Sequence, residues 1–203
     1  MEERVLVIPD ERLRELLGDE EGFLHVDETL IRGIIEEHGM FIPRDEAEYD
    51  PSFRQVIPYM VILKGDELLL LQRTEKQGEK RLHNKYSVGI GGHVNSLDGV
   101  TPLDAYFNGK ERELHEELHV EVVKERYLGI INDRSSEVSS VHVGLVYAVM
   151  VRSADIREKE NFLYWWIKRN ELTKHLQKME NWSRLVVEYM ISNGVRIWDT
   201  DAS

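Results

Sequence analysis

Residues 86–120 read YSVGIGGHVNSLDGVTPLDAYFNGKERELHEELHV, and this stretch decides both the predicted fold and the predicted chemistry. Its first five residues are predicted to form a strand that runs into Gly91-Gly92. Backbone without Cβ atoms can turn sharply there, present a carbonyl group to a metal or approach a phosphate closely. Taken alone, a glycine pair indicates only a turn, so its meaning depends on the residues that follow.

A helix is predicted after this loop, from about residue 102 to about residue 118. Thr101 is a suitable N-cap, Pro102 a suitable first helical residue, and Asp104 the reciprocal carboxylate of a capping box. Phe107 and Leu114 fall on one face of the helix, which is therefore predicted to pack on the core.

Three glutamates, Glu113, Glu116 and Glu117, stand at i, i+3 and i+4 on another face of the same helix. Like charges at this spacing cost about 0.2–0.5 kcal/mol per pair, so a bound cation would stabilise them. Ligands made only of oxygen favour Mg²⁺ or Mn²⁺. A solvated acidic face is the more common explanation for such a trio in isolation, but the preceding glycine pair makes a metal site the favoured interpretation.

The segment resembles the Nudix family, whose box reads Gly, five residues, Glu, seven residues, then Arg-Glu-U-x-Glu-Glu-x-Gly-U, with U bulky and apolar. The match is RELHEELHV at residues 112–120, and the preceding GIGGHV resembles the family's strand and glycines. A weaker likeness in the order of elements extends over residues 59–167. The resemblance implies an α/β (α+β) fold, a Nudix-like α/β/α sandwich with a mixed sheet.

The chain departs from the family pattern in three places. His119 stands at the box's last glycine, and in one register Asp104 stands at the box's first glutamate. Eleven residues then separate Gly92 from Asp104 (104 − 92 − 1) instead of five. A second register aligns residues 99–102 with the family's turn and places part of the insertion inside the helix, near residues 108–109. Both registers leave the three glutamates in place.

The resemblance implies a metal site formed by Glu113, Glu116, Glu117 and the carbonyl group of Gly92. Arg112, next to Glu113, would position that carboxylate by charge-assisted hydrogen bonds. The bound metal would polarise the diphosphate and activate a water for attack on phosphorus. Together with Glu113, the catalytic residues would then include Arg112 and Glu117.

The general base is a separate question. In this family it is a box glutamate or a carboxylate from a later loop, so Glu113 ranks first and Glu160 second. Glu160 precedes the aromatic strand FLYWW, although a residue in such a loop is more often simply solvated. Trp165 and Trp166 in that strand face opposite sides, so at most one could stack on a nucleobase. His93 and His142 are interpreted as local hydrogen-bonding residues.

Composition narrows the choice of function. The chain has 203 residues, a formal net charge of −12 and no cysteine. The acidity argues against duplex nucleic acid as a partner, and the absence of cysteine excludes disulfides, thiolate metal sites and the isoprenoid isomerases of the Nudix-like class. No stretch resembles a signal peptide or a membrane span, so a cytoplasmic protein without membrane contact is expected.

The chain is predicted to have two parts. Residues 1–54 would be an N-terminal helical extension packed on the main domain, with helices capped by Asp10 and Asp27 and ending near Gly18 and Gly39. Residues 55–203 would be the catalytic domain, with a hairpin at 56–72 and a C-terminal helix. A homodimer through the N-terminal helices is a family-level expectation.

These observations predict a metal-dependent hydrolase that cleaves a phosphoanhydride bond in a nucleoside diphosphate linked to another moiety. The partner would be a small nucleotide, and ADP-ribose-like compounds and nucleoside triphosphates both remain open. The alternative is a non-catalytic nucleotide-sensing module of the same class. Retention of all three glutamates favours the enzyme.

Overall fold

The computed structural model describes residues 2–73, 85–157 and 162–193. Its strands are β1 (Arg4–Pro9), β2 (Gly22–Leu24), β3 (Met40–Pro43), β4 (Phe53–Lys64), β5 (Glu67–Arg73), β6 (Tyr86–Ser87), β7 (Gly89–Ile90), β8 (Leu118–Asn132), β9 (His142–Ile156) and β10 (Phe162–Lys168). Its α-helices are α1 (Asp10–Leu17), α2 (Glu28–His38), α3 (Arg44–Ala47), α4 (Pro102–Glu117), α5 (Glu137–Ser140) and α6 (Asn181–Ser192).

The strands are hydrogen bonded in the order β10-β5-β4-β9-β8-β2, with β1 beside β3 and β4, β6 beside β5, and β7 beside β4. β4 and β5 form the predicted antiparallel hairpin, with Leu63 opposite Leu68. Gly65 in its turn has φ of 58°, a conformation that glycine adopts without steric cost. A single parallel bridge joins Tyr86 to Met179. The predicted combination of a mixed sheet with helices is therefore confirmed.

The chain divides into two compact units. The first comprises Met1–Tyr59, Gly91–Leu114 and Tyr127–Tyr147, and the second comprises Met60–Ile90, His115–Arg126 and Ala148–Ser203. The predicted boundary between residues 54 and 55 falls inside the first unit and stays a prediction.

The N-terminal segment contains strands as well as the predicted helices. Val5, Leu6, Val7 and Ile8 of β1 are all buried, because β1 pairs with β3 on one edge and with the start of β4 on the other. Residues 1–54 therefore contain strands β1, β2 and β3 in addition to the predicted helices α1 and α2. β1 has only six residues, so its pattern of branched apolar residues is a weak signal for a strand beside the longer helical pattern that follows it.

Asp10 does not have its predicted role as a helix cap. α1 begins at Asp10 itself, and Pro9 occupies the N-cap without a side-chain hydrogen bond. The Asp10 carboxylate instead accepts hydrogen bonds from Arg14, Arg54 and Arg134. Arg54 is fully buried, so Asp10 compensates a charge that has lost its water.

The other predicted helix ends in this segment are confirmed. Asp27 caps α2 by accepting a hydrogen bond from the Thr29 amide at 2.8 Å. Gly18 and Gly39 lie at the C-caps of α1 and α2. Within the described parts of the chain, no helix is long and apolar enough to cross a membrane.

We expect Asp10→Asn to lower the free energy of unfolding by about 3 kcal/mol at pH 7, because it leaves the buried Arg54 without its anion. Burial alone would raise the pKa of Asp10, but hydrogen bonds from the arginines outweigh burial and lower it. The stabilisation is therefore complete above the unfolded pKa of 3.8 and is lost as the pH falls through the lowered pKa.

Urea unfolding of wild type and Asp10→Asn between pH 7 and pH 3 measures this difference. Asp19→Asn is the matched control, because Asp19 pairs with Arg14 while its side chain is 98% exposed. A loss of stability in Asp19→Asn as large as that in Asp10→Asn would contradict the assignment.

Candidate active site

α4 starts at the predicted N-cap residue Thr101, and Asp104 contacts the Thr101 hydroxyl where a full capping box would use the Thr101 amide. The Asp104 amide donates to the Thr101 hydroxyl at 3.1 Å, and that hydroxyl donates to the Asp104 carboxylate at 2.8 Å. Leu114 is buried as predicted, whereas Phe107 is only half-buried, and the buried face of the helix also includes Ala105 and Tyr106. The N-cap fixes where the helix begins, and so fixes the positions of the residues two to four turns further along.

The glycine loop and the helix meet at Gly92 and Glu113. A Cβ atom built on Gly92 would overlap the Glu113 carboxylate, with Oε1 only 2.7 Å away. A side chain at position 92 would therefore displace the Glu113 carboxylate. The Glu113 side chain is 14% exposed, so its carboxylate lies in a confined space against the loop backbone.

The Arg112 guanidinium holds this arrangement together. It donates to Glu113 Oε1 at 2.7 Å, to the His93 carbonyl at 2.9 Å and to both carboxylate oxygens of Asp98 at 2.8 and 3.0 Å. The hydrogen bond to Asp98 raises the pKa of Arg112 above its ordinary value, with a further contribution from Glu113. Arg112 is therefore a permanent cation, and the predicted contact between Arg112 and Glu113 is present.

Asp98, not Asp104, is the acidic partner of Arg112. Five residues separate Gly92 from Asp98 (98 − 92 − 1), which is the family's spacing from glycine to glutamate. Asp104 instead contacts the Thr101 hydroxyl at the start of α4. Both predicted registers stay predictions, and neither of them named Asp98, which the structure places beside Arg112. The five-residue spacing was the signal in the sequence that could have identified Asp98.

The middle of α4 makes close contact with the loop that contains Asp98. Asn108 Nδ2 donates to the Asp98 carbonyl at 2.8 Å. A Cβ on Gly109 would lie 2.8 Å from Asp98 Oδ2 and 3.1 Å from a methyl group of Val94. The Asn95 amide also donates to Asp98 Oδ2, at 2.7 Å. Asn108-Gly109 therefore has a structural purpose, which is close contact between helix and loop.

Glu116 and Glu117 lie in the last turn of α4. Glu116 is exposed and Glu117 is half-buried, and the Glu117 carbonyl accepts a hydrogen bond from the Arg157 amide at 2.9 Å. The helix ends directly at β8, which begins at Leu118, so His119 needs no glycine-like conformation. Within the described ranges, no three Asp, Glu or His side chains are close enough together to enclose a metal ion.

His93 and His142 are hydrogen bonded to each other, as their interpretation as local structural residues suggested. His142 Nδ1 donates to the Val138 carbonyl at 2.7 Å, so its Nε2 accepts from His93 Nε2 at 3.3 Å. Burial lowers the pKa of His93 to about 3 and also lowers that of His142. Both rings are therefore neutral at pH 7, and the pair supports the segment after the glycine loop.

The remaining predicted candidates are less defined. Glu160 lies outside the described residues. Trp165 is 41% exposed and contacts Tyr86 edge-to-face with ring centroids 6.0 Å apart. Trp166 lies under the ammonium of Lys64, which is 4.1 Å from its ring centroid. Trp165 is thus the more accessible of the two tryptophans, and its contact with a base stays a prediction.

Comparison with known proteins identifies the family. The crystal structure of Tm1382, a candidate Nudix hydrolase, has a TM-score of 0.87 to this chain at 38% identity, and the match covers 94% of this chain and 99% of Tm1382. Protein YmaB of Bacillus subtilis (strain 168) is 37% identical over 156 residues, 72% of this chain and 76% of YmaB. No protein-family profile matches the chain.

A more distant structure shares the fold alone. DR0079 from Deinococcus radiodurans has a TM-score of 0.52 at 21% identity, over 87% of this chain and 100% of DR0079.

The similarity to Tm1382 shows that the chain belongs to the Nudix hydrolases and is an enzyme of that family. The predicted resemblance and the predicted fold class are confirmed, and the general reaction is hydrolysis of nucleoside diphosphate derivatives.

We expect Asp98→Asn to lower the free energy of unfolding by about 2 kcal/mol, because it removes the charge from two hydrogen bonds to Arg112 in a partly buried site. Asp104→Asn is the matched control at the exposed N-cap and is expected to cost under about 1 kcal/mol. Chemical unfolding curves measure both variants. A larger loss in Asp104→Asn than in Asp98→Asn would contradict the assignment of Asp98 as the acidic partner of Arg112.

Proposed function

We propose that this protein hydrolyses a phosphoanhydride bond in a nucleoside diphosphate linked to another moiety, and that it requires Mg²⁺ or Mn²⁺. The observation that carries the proposal is the Glu113 carboxylate, which Arg112 holds against the backbone of Gly92. The oxygens of this carboxylate, together with the Gly92 carbonyl that the family resemblance implies, are donors of the kind that hard divalent cations bind.

The residues fit such an ion. Glu113, Glu116 and Glu117 lie within four residues of one another near the end of α4, which gives each access to the same region by helical spacing. Because no three acidic side chains already enclose a site in the described ranges, the carboxylates would have to converge on binding. Glu113 is already held by Arg112, so Glu116 and Glu117 would have to move towards it.

The chain's own residues each have a task in this proposal. Arg112 fixes the orientation of the Glu113 carboxylate through one of the hydrogen bonds described above. Glu113 is the first candidate for the general base, since it is the most confined of the three carboxylates, and Glu160 remains the second. A bound divalent cation would supply charge stabilisation at phosphorus and a water of lowered pKa.

The charge of the chain supports the need for a cation. A net charge of −12 repels an anionic diphosphate, and acidic side chains around the reacting group add to that repulsion. Divalent ions at the glutamates reverse the local sign of the field. The substrate class is therefore expected to bind only together with the metal.

Glu117→Gln is expected to lower metal-dependent turnover by at least about 100-fold, because it removes a charged ligand while keeping the side chain's shape. Phosphate release from a panel of nucleoside diphosphate derivatives, read after added phosphatase with and without Mg²⁺ or Mn²⁺, measures this. Glu111→Gln is the matched control, because Glu111 is an exposed glutamate on the same helix, and it is expected to retain wild-type turnover.

Turnover that survives in Glu117→Gln, or that needs no metal in wild type, would contradict the proposal. Folded wild-type protein that binds nucleotides but releases no phosphate from any member of the panel would instead support the non-catalytic sensing module.

A further inference from the structure

A chain of hydrogen bonds crosses the interior between α2, β9 and α4. The Tyr106 hydroxyl donates to the Tyr147 hydroxyl at 3.1 Å, and the Tyr147 hydroxyl donates to Glu28 Oε1 at 3.0 Å. Tyr106 is fully buried and Tyr147 is 2% exposed. Burial raises the pKa of Tyr106, so its phenol stays protonated and keeps donating. The three residues therefore join the N-terminal segment to α4.

Two further contacts surround this chain. Lys110 of α4 is 4% exposed, and its ammonium lies 4.5 Å from the centroid of the Tyr147 ring. Arg32 of α2 lies 4.3 Å from the centroid of the Phe107 ring and 3.6 Å from Glu28. Both are cation–π contacts between a helix and its neighbour, and they reinforce the same three-element junction.

Buried hydrogen bonds of this kind constrain geometry more than apolar packing does. An apolar interface tolerates small rotations of a helix. The same rotation separates a buried hydroxyl from its hydrogen-bond partner, and the cost of burying that hydroxyl is then no longer offset. The phenol of Tyr106 is fixed by Tyr147, which is fixed by Glu28. The rotation of α4 about its own axis is therefore restricted at Tyr106 and Lys110.

That restriction reaches the candidate active site through the helix itself. Tyr106, Lys110 and Glu113 stand at i, i+4 and i+7, so their side chains leave α4 on nearly the same face. A rotation of α4 that broke the hydrogen bond of Tyr106 would also move Glu113 away from Gly92. The distance between these groups is only two helical turns of continuous backbone.

We propose that Glu28, Tyr147 and Tyr106 are positioning residues, through which the N-terminal helix α2 sets the orientation of α4 and of the Glu113 carboxylate. The consequence for metal binding rests on the proposed function, whereas the consequence for the helix does not.

The test compares Tyr147→Phe and Glu28→Ala with the wild-type full chain. Both variants are expected to speed amide hydrogen exchange in residues 110–117 and to weaken Mn²⁺ binding, each by roughly 2- to 30-fold, while exchange in β5 stays unchanged. Mass spectrometry of exchanged peptides and paramagnetic resonance of free Mn²⁺ measure the two effects. If either variant does not fold, Tyr106→Phe is used instead, because it keeps the hydrogen bond between Tyr147 and Glu28.

Two controls separate positioning from packing. Tyr127→Phe removes a hydroxyl from the same cluster, since the Tyr127 ring lies 5.4 Å from Tyr147, but that buried hydroxyl has no hydrogen-bond partner in the described part of the chain. It is expected to leave both readouts unchanged. Glu28→Gln keeps an acceptor for Tyr147 and is expected to bring both readouts back towards wild type.

Unchanged exchange in residues 110–117 of Tyr147→Phe and Glu28→Ala, whatever their melting temperatures, would overturn the inference. If exchange is faster in the variants but the wild-type protein binds no Mn²⁺, the positioning of α4 stands, and the result counts against the proposed metal-dependent function.

Discussion

The Arg112 guanidinium donates hydrogen bonds to three parts of the candidate site: the His93 carbonyl in the loop after Gly92, the Asp98 carboxylate and the Glu113 carboxylate. Such a planar group presents several donors at fixed angles, so each partner limits where the others can lie. Arg112 holds the Glu113 carboxylate beside Gly92 through a hydrogen bond of 2.7 Å, and the same guanidinium binds both oxygens of Asp98.

Two pairs of polar side chains in the first unit also support the loop after Gly92: Asp10 with Arg54, and His93 with His142. Asp10 compensates Arg54 beside the His142 carbonyl, and His142 in turn supports His93, whose carbonyl binds Arg112. The N-terminal segment thus belongs to the framework of the site, through β1 beside β4 as well as through Glu28 of α2. An extension that only covered the core would need none of these directional contacts.

The features that the sequence predicts correctly are local. The hydrogen bonds between Thr101 and Asp104, the Asp27 cap and the contact between Arg112 and Glu113 each involve residues at most three positions apart, where spacing alone determines the geometry. The Asp98 contact spans fourteen positions, and the bonds from Tyr147 span 119 and 41 positions. These depend on the path of a loop and the register of strands, which residue types alone do not specify. β1 was missed because six residues carry little periodicity.

We propose that Glu113, held by Arg112 beside Gly92, is part of a divalent metal site with Glu116 and Glu117. Anomalous diffraction at the manganese edge from crystals of the wild-type chain grown with Mn²⁺ tests this directly. We expect an anomalous peak within coordination distance, about 2.0–2.4 Å, of a Glu113 oxygen and of at least one of the other two carboxylates. A peak elsewhere on the chain, or none at Mn²⁺ concentrations that support turnover, would contradict it.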